Sequence, residues 1–483
     1  MKLGDLLNLA PDHIAANLEI SGLSSDSRTT KPGDLFAALT GTLSDGRTFV
    51  DKAIGAGAVA ILAEAGLADV RVPVITVDNA RDALSKAAAR FYPRQPQTIV
   101  AVTGTNGKSS TVDFLRQIWT HAGHGAASVG TLGAIGPKGR IDLGFTTPDP
   151  ISLHATLQGL ADEGITHVAM ESSSHALDQR RMHGVRLAAG GFSNLTQDHL
   201  DYHLTMDAYR AAKLRLFTDL LTPGQPAIIN ADAPEAPAFE DAAKAHGLDL
   251  KLVGWRGAFL KIVEISPTPA SQRLNVRFDG KDYNIDMPLI GEFQALNAIM
   301  AAGFALSLGE TPETVFAALS KLKTVKGRME HIGATREGAH VFVDYAHTPD
   351  GLDVLLRAAR PHAPGRIVLV FGCGGDRDKG KRPLMGALAA KYGDLVIVTD
   401  DNPRTENAAS IRSEVLVGCP GALEIGDRGE AIAKAVGLLE KGDCLLIAGK
   451  GHETGQLVNG KILPFSDQEA AAAALLARGG RRD

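Results

Sequence analysis

Apolar residues along this chain fall in short, nearly unbroken runs separated by longer stretches with helical spacing. Runs of that kind read as buried strands, and their alternation with helices predicts an α/β fold with mainly parallel sheets. Runs at 35–39, 58–62 and 72–77 outline a small N-terminal α/β domain over 1–97, and Pro93 and Pro96 mark its exit. A central domain over 98–328 has strand candidates at 99–102, 167–170, 188–192 and 227–229 with helical patterns between them, as a doubly wound sheet requires. From 329 to 483 the pattern reads as Rossmann-like, with strands at 341–343, 367–371, 395–398 and 444–447 and helices at 351–359, 386–392 and 428–439. An Ala-rich helix over 467–478 follows Ser466 as its N-cap, and 478–483 reads as a tail.

The stretch Thr98-Ile-Val-Ala-Val-Thr-Gly-Thr-Asn-Gly-Lys-Ser-Ser110 joins a buried strand to a Gly-rich turn that opens into a helix. It reads as a phosphate cradle. Gly104 and Gly107 let backbone N–H groups turn toward an anion, the helix adds its positive end, and Lys108 reaches the outer phosphates. Ser109 is placed to hold Mg²⁺. The strict G-x-x-x-x-G-K-[ST] pattern is not met, because Val102 stands where the first glycine belongs.

Polar residues gather where the predicted strands end, which is where open α/β sheets bind ligands. In the central domain these are Thr146-Thr147, Glu171-Ser-Ser-Ser-His175 and the segment 194–203. His199 and His203, beside Asp198 and Asp201, have the spacing of a zinc pair on a helix, which would make a metallohydrolase. The cradle, Ser109 and Glu171 favour Mg²⁺ instead, which binds through carboxylates and substrate phosphates. Lys213, on the next helix, reads from its pattern as a solvated face residue. In the last domain, 344–347, 372–378, 400–404 and 448–453 are four polar loops on one expected edge, and Gly372-Cys-Gly-Gly lacks the spacing of a dinucleotide site. The N-terminal segments 24–28 and 40–46 are turn-rich and suit a polar ligand.

At 483 residues the chain exceeds one core, and 44% hydrophobic with 22% charged residues is the composition of a globular protein. Fifty Lys+Arg against 55 Asp+Glu, a net charge of −5, supplies no basic field for nucleic acid or an anionic membrane. Cys373, Cys419 and Cys444 have no metal or disulfide spacing and suit a reducing compartment. With no long apolar run, the expected location is cytoplasmic and the expected partners are small molecules.

Taken together, Val102-Thr-Gly-Thr-Asn-Gly-Lys-Ser109, Glu171-Ser-Ser-Ser-His175, Asn194 to His203, Gly327-Arg-Met-Glu330, Asp344-Tyr-Ala-His-Thr-Pro349 and Asp401-Asn-Pro-Arg404 resemble the Mur ligases across all three domains. The Asp-Asn-Pro-Arg form is that of members adding meso-diaminopimelate. The resemblance implies an ATP-dependent ligase of peptidoglycan synthesis that activates the D-glutamyl γ-carboxylate of a UDP-N-acetylmuramoyl dipeptide as an acyl phosphate, which the diaminopimelate amine then attacks.

By that resemblance Lys108, Glu171, His199 and Lys213 are the catalytic set. ATP is held by Gly104, Thr105, Asn106, Gly107, Lys108, Ser109 and Ser110, with Asn297, Arg328 and Asp344 placing it between the second and third domains. About two Mg²⁺ ions are implied on Ser109, Glu171, His199 and Lys213, the lysine being carbamylated by CO₂. The UDP-sugar falls to Ser25, Ser27, Thr42, Leu43 and Ser44, and its peptide to Thr146, Thr147, Ser173, Gln179 and Arg181. Thr42-Leu-Ser44 departs from the His-Gln-Ala of some relatives, and Ser25 replaces a Leu. Diaminopimelate falls to Arg377, Asp401, Asn402, Pro403, Arg404, Gly449 and Glu453. The implied state is a monomer with no nucleic-acid or membrane partner. A folate polyglutamate synthase shares the cradle but not Asp-Asn-Pro-Arg or the first domain, and a non-catalytic nucleotide-binding regulator has no need of the catalytic set.

Overall fold

The computed structural model describes residues 1–41, 45–64, 67 and 70–482. The chain forms two compact units, one comprising Met1–Phe259 with Met300–Val315 and the other Leu260–Ile299 with Phe316–Asp483.

The first unit opens with four parallel strands, Gly22–Ser24, Asp34–Ala37, Ala60–Ala63 and Val74–Thr76, paired in chain order. Asp34–Ala37 and Ala60–Ala63 are buried throughout, which is why they read as unbroken apolar runs. Helix Ala80–Phe91 starts at an Asn79 cap and packs Leu84 and Ala87 into the same core.

The larger sheet of this unit places strand Thr98–Thr103 between His167–Glu171 and Leu187–Phe192, all parallel. Pro226–Asn230 and Asp249–Gly254 extend it in parallel on the Leu187–Phe192 side. Ala126–Gly130 extends it on the other, followed by the antiparallel hairpin Gly133–Gly136 and Gly139–Ile141. Register pairs Val102 with Glu171 and Thr103 with Phe192, so the cradle, the Glu171 segment and the chain leaving Phe192 share one sheet edge. The sequence reading lacks the strand Ala126–Gly130, because Ala-Ala-Ser-Val-Gly carries little strand signal.

In the second unit, an antiparallel meander, Leu260–Pro267, Gln272–Phe278 and Lys281–Met287, precedes a sheet in which every strand expected after 329 appears. Parallel strands run in the order Leu423–Glu424, Leu395–Val398, Ile367–Phe371, Cys444–Ala448 and His340–Asp344, with antiparallel Glu330–Ala334 beyond them. The C-terminal residues correct one expectation: Arg481–Arg482 are no tail but a short edge strand on Gly333 and Ala334. Two charged residues give no apolar signal for such a strand. Helix Asp467–Ala477 does start at a Ser466 cap.

A fully buried ion pair ties this unit together. Arg428 donates to both carboxylate oxygens of Asp467 at 2.6 and 2.7 Å, and also to the carbonyls of Ala448 (2.9 Å) and Asp400 (3.3 Å). It therefore clamps the ends of two strands whose loops carry candidate site residues. Among the described residues no helix is long and apolar enough to cross a membrane.

Candidate active site

The cradle is built as a strained turn pinned from the neighbouring strand end. Gly104 (φ +145°) and Gly107 (φ +86°) take conformations that L side chains rarely adopt, and a Cβ at Gly104 would lie 2.0 Å from the Ser193 hydroxyl. Asn194 holds the turn by accepting from Thr105 N–H through its carbonyl (2.8 Å) and from Asn106 N–H through Oδ1 (2.9 Å). Helix Lys108–His121 begins directly after it, with Gly107 as an N-cap that brings no side-chain cap, and a helix N-terminus suits a bound anion. Ser110 is buried inside the first turn.

Two ammonium groups converge on one carbonyl here. Lys108 Nζ donates to Gly104 O and Thr105 O, each at 2.8 Å, and Lys213 Nζ donates to Gly104 O at 2.7 Å. Lys213 is only 1% exposed, which corrects its reading as a solvated residue. Burial, and then the neighbouring Lys108 charge, hold its pKa well below the ordinary lysine value. Its Nζ also lies 4.5 Å from the centroid of the Tyr209 ring, and Tyr209 OH meets Thr105 Oγ1 at 3.2 Å. A sequence signal for this existed: Tyr209, Ala212 and Leu216 are buried at helical spacing, and Lys213 lies on their face.

Glu171 ends its strand beside the cradle. Ser109 Oγ donates to Glu171 Oε1 at 2.8 Å, as does Thr131 N–H, while Thr131 Oγ1 reaches Oε2 at 3.3 Å. A hydroxyl and a carboxylate at a helix N-terminus are hard oxygen donors of the kind Mg²⁺ takes alongside phosphates, so these residues fit that ion. His199 does not form a zinc pair with His203 on one helical face. It sits at φ +52° before helix Leu200–His203, its ring centroid 4.9 Å from that of His175. His203 packs on Tyr202 and Tyr209. Among the described residues no three His, Cys, Asp or Glu side chains gather for a metal.

Next to Glu171, Thr147 Oγ1 donates to the Glu171 carbonyl (2.9 Å) and accepts from Ser173 N–H (3.1 Å). Arg181 donates to Thr147 O (2.7 Å) and to Gln179 Oε1 (2.8 Å), and Thr146 meets Thr131 at 3.1 Å. The Ser173 hydroxyl is the cap of helix Ser174–Asp178. The structure thus gathers Thr146, Thr147, Ser173, Gln179 and Arg181, and Gln179 and Arg181 join Ser25, Arg81 and Phe145 in lining a cavity of about 150 Å³. Ser27 is buried. Thr42, Leu43 and Ser44 lie outside the described residues.

The second unit holds the remaining candidates. Asn297 Nδ2 donates to Gln294 Oε1 (3.4 Å), Gln294 to Arg328 O (3.0 Å), and Met329 N–H to Asp344 Oδ2 (2.7 Å), so these candidate ATP residues are one hydrogen-bonded group. The Arg328 guanidinium stacks 4.4 Å over Tyr345.

On the same sheet edge, Arg404 takes φ +53° and is half-buried. Its N–H donates to Leu457 O (2.9 Å), its carbonyl accepts from Asn459 (2.7 Å), and Nη1 donates to Gly375 O (2.7 Å). Hairpin Gly455–Val458 and Lys461–Pro464 therefore holds the Pro403-Arg404 loop in a left-handed conformation that non-glycine residues avoid unless held. Asp401 and Asn402 are buried, and desolvation pushes the Asp401 carboxyl up against the pull of Arg428 and Lys450. A Cβ at Gly449 (φ +115°) would lie 2.6 Å from Asp401 Oδ2, so these two loops meet only over a glycine. Arg377 is exposed nearby in sequence. Asn402 turns its amide inward, donating to Glu453 Oε2 (2.9 Å) and accepting from Lys450 (3.1 Å). The sequence reading does not single out Lys450.

The Mur ligase signatures cover this architecture. The signature for the Mur ligase family catalytic domain matches residues 19–92, that for the Mur ligase middle domain 102–305, and that for the Mur ligase glutamate ligase domain 327–451. A protein of Bradyrhizobium diazoefficiens named UDP-N-acetylmuramoyl-L-alanyl-D-glutamate--2,6-diaminopimelate ligase is 52% identical over 99% of this chain and 100% of its own. The chain belongs to the Mur ligase family. A relative of the same name from Agrobacterium fabrum is 52% identical over 95% of this Mur ligase and 94% of its own length. A solved structure of a ligase of that name superposes with TM-score 0.77 at 31% identity, covering 99% of both chains. The α/β fold with mainly parallel sheets expected from the sequence is therefore the one observed, and it is consistent with the three-domain Mur ligase architecture.

Proposed function

We propose that the chain ligates 2,6-diaminopimelate, as its meso form, to the γ-carboxylate of UDP-N-acetylmuramoyl-L-alanyl-D-glutamate at the expense of ATP, in peptidoglycan precursor synthesis. The observation that carries this reading is the joint presence of a complete phosphate cradle and the hairpin-locked Arg404 loop in a chain 52% identical, end to end, to ligases of that name. The rival folate ligase and regulator readings leave that loop without a purpose. The proposed domain borders are 97 and 328.

In the first step a γ-carboxylate oxygen forms a bond to the γ-phosphorus of ATP and the bond to the ADP oxygen breaks. Lys108, the cradle N–H groups and the helix N-terminus hold the phosphates in line and offset their charge. Ser109, Glu171, His199 and a carbamylated Lys213 would hold Mg²⁺, about two ions, which would supply further charge neutralisation. In the second step the diaminopimelate amine forms the C–N bond, the acyl C–O bond breaks, phosphate leaves, and the amine gives up a proton. Arg377, Asp401, Asn402, Pro403, Arg404, Gly449 and Glu453 form the pocket for the amino acid. Ser25, Ser27, Thr42, Leu43 and Ser44, with the Thr147–Arg181 group, hold the nucleotide peptide. A monomer suffices, and an ATP requirement suits the cytoplasm.

Phosphate release that requires the nucleotide dipeptide and diaminopimelate together supports the assignment; release that needs neither, or glutamate in place of diaminopimelate, overturns it. The carbamate is implied by the family match of Lys213, and the burial that lowers the pKa of this amine supports it, because CO₂ adds only to a neutral amine. Lys213→Ala is expected to be nearly inactive and to regain part of its rate with acetate or another short carboxylate. Active enzyme with no carbamate signal from ¹³C-labelled CO₂, and no rescue, would contradict it.

A further inference from the structure

We propose that Lys450 is a positioning residue for amino-acid recognition, whose buried ammonium fixes Glu453 and Asn402 as one unit so that Glu453 presents a carboxylate oxygen to the substrate ammonium. This rests on the diaminopimelate reading above.

Lys450 has 0% exposure, and its ammonium donates to Glu453 Oε2 at 3.0 Å and to Asn402 Oδ1 at 3.1 Å. Asn402 closes the triangle by donating Nδ2 to the same Glu453 Oε2 at 2.9 Å, while its Oδ1 also accepts Leu457 N–H at 2.9 Å from the hairpin. Both bonds to Glu453 go to Oε2, and the Glu453 side chain is 33% exposed. The carboxylate is therefore anchored on one oxygen, and among the described residues no hydrogen bond reaches the other. Net interactions with Asn402 and Lys450 also outweigh desolvation and hold the Glu453 carboxyl below its usual range, as an acceptor for an ammonium requires.

A buried lysine is an uneconomical way to fill space. Its ammonium must be desolvated, and an apolar side chain of similar volume would be as stable or more so. What the ammonium adds is orientation. It ties the 449–453 loop to Asn402, two residues before Arg404, and the hairpin strand that bonds Asn402 Oδ1 through Leu457 N–H also bonds Arg404 N–H through Leu457 O. An anionic group for an ammonium and a guanidinium for a carboxylate are thus set in one rigid frame, which is the complement of an amino-acid terminus. Lys450 itself has no exposed surface for the ligand to touch.

The test uses the full chain as wild type, Lys450→Met, Glu453→Gln and the double variant, with initial rates measured against each substrate in turn. Lys450→Met is expected to raise the KM for diaminopimelate about tenfold or more while the KM for ATP and for the nucleotide dipeptide stays within about twofold. Because Lys450 acts through Glu453, the double variant should be no worse than Glu453→Gln alone, a coupling that independent effects would not give. The double variant buries no unpaired charge, so this comparison stands even where Lys450→Met does not fold. An unchanged diaminopimelate KM in Lys450→Met, an equal rise for every substrate, or multiplying effects in the double variant would overturn the inference while wild-type activity upholds the functional reading. Wild-type enzyme that turns over no diaminopimelate would overturn both.

Discussion

Lys108→Ala should lower turnover by about 10²-fold or more, roughly 2.7 kcal/mol of barrier. In the structure its ammonium rests on the Gly104 and Thr105 carbonyls at the mouth of the cradle. Its charge counts most when the γ-phosphoryl group is in transit, because negative charge is then spread over the phosphoryl oxygens and the attacking and leaving oxygens. Folding should survive, since the residue is half-buried and the cradle is pinned independently by Asn194 and Ser193. Steady-state rates with saturating ATP separate a lost transition-state contact from weaker binding. A variant turning over at the wild-type rate would remove the cradle lysine from the mechanism.

Arg404→Ala should abolish most of the preference for meso-diaminopimelate over L-lysine. The two amino acids share a chain and a reacting amine, and diaminopimelate adds a carboxylate at the far end, so selection has to be made there. The planar guanidinium fork of Arg404 matches a carboxylate with paired hydrogen bonds. Lysine would leave that guanidinium without its anion. Losing such a contact costs about 2–5 kcal/mol, a discrimination of roughly 30-fold to a few thousandfold. The variant should show a raised KM for diaminopimelate with the KM for ATP nearly unchanged. Full selectivity in Arg404→Ala, or equal use of both amino acids by the wild type, would show the loop has another role.

How far these sites are legible in the chain depends on how local their chemistry is. The cradle is contiguous, and its strand, glycines and lysine announce themselves together within Thr98 to Ser110. The strands Ile367–Phe371 and Cys444–Ala448 are buried along their whole length, so their apolar runs are unmistakable. By contrast, the partnership of Glu171 with Ser109 and Thr131 spans distant segments and follows from sheet order alone. Lys213 reads as a solvated residue because charged neighbours, Asp207, Arg210 and Arg215, dominate its helix and conceal a narrow apolar face. Lys450 has no local signal, since its partner Asn402 lies 48 residues away on another loop. The His199 and His203 spacing suggested a helical metal pair because a sequence does not display the left-handed backbone at His199.

The claim at the centre of this account is that the D-glutamyl γ-carboxylate is activated as an acyl phosphate before the amine attacks. Nucleotide dipeptide labelled with ¹⁸O in that carboxylate, incubated with ATP and diaminopimelate, puts this to the test. The C–O bond that breaks when the amide forms carries its oxygen away with phosphorus, so released phosphate is expected to bear one ¹⁸O atom per amide bond formed. Amide product accompanied by unlabelled phosphate would contradict it.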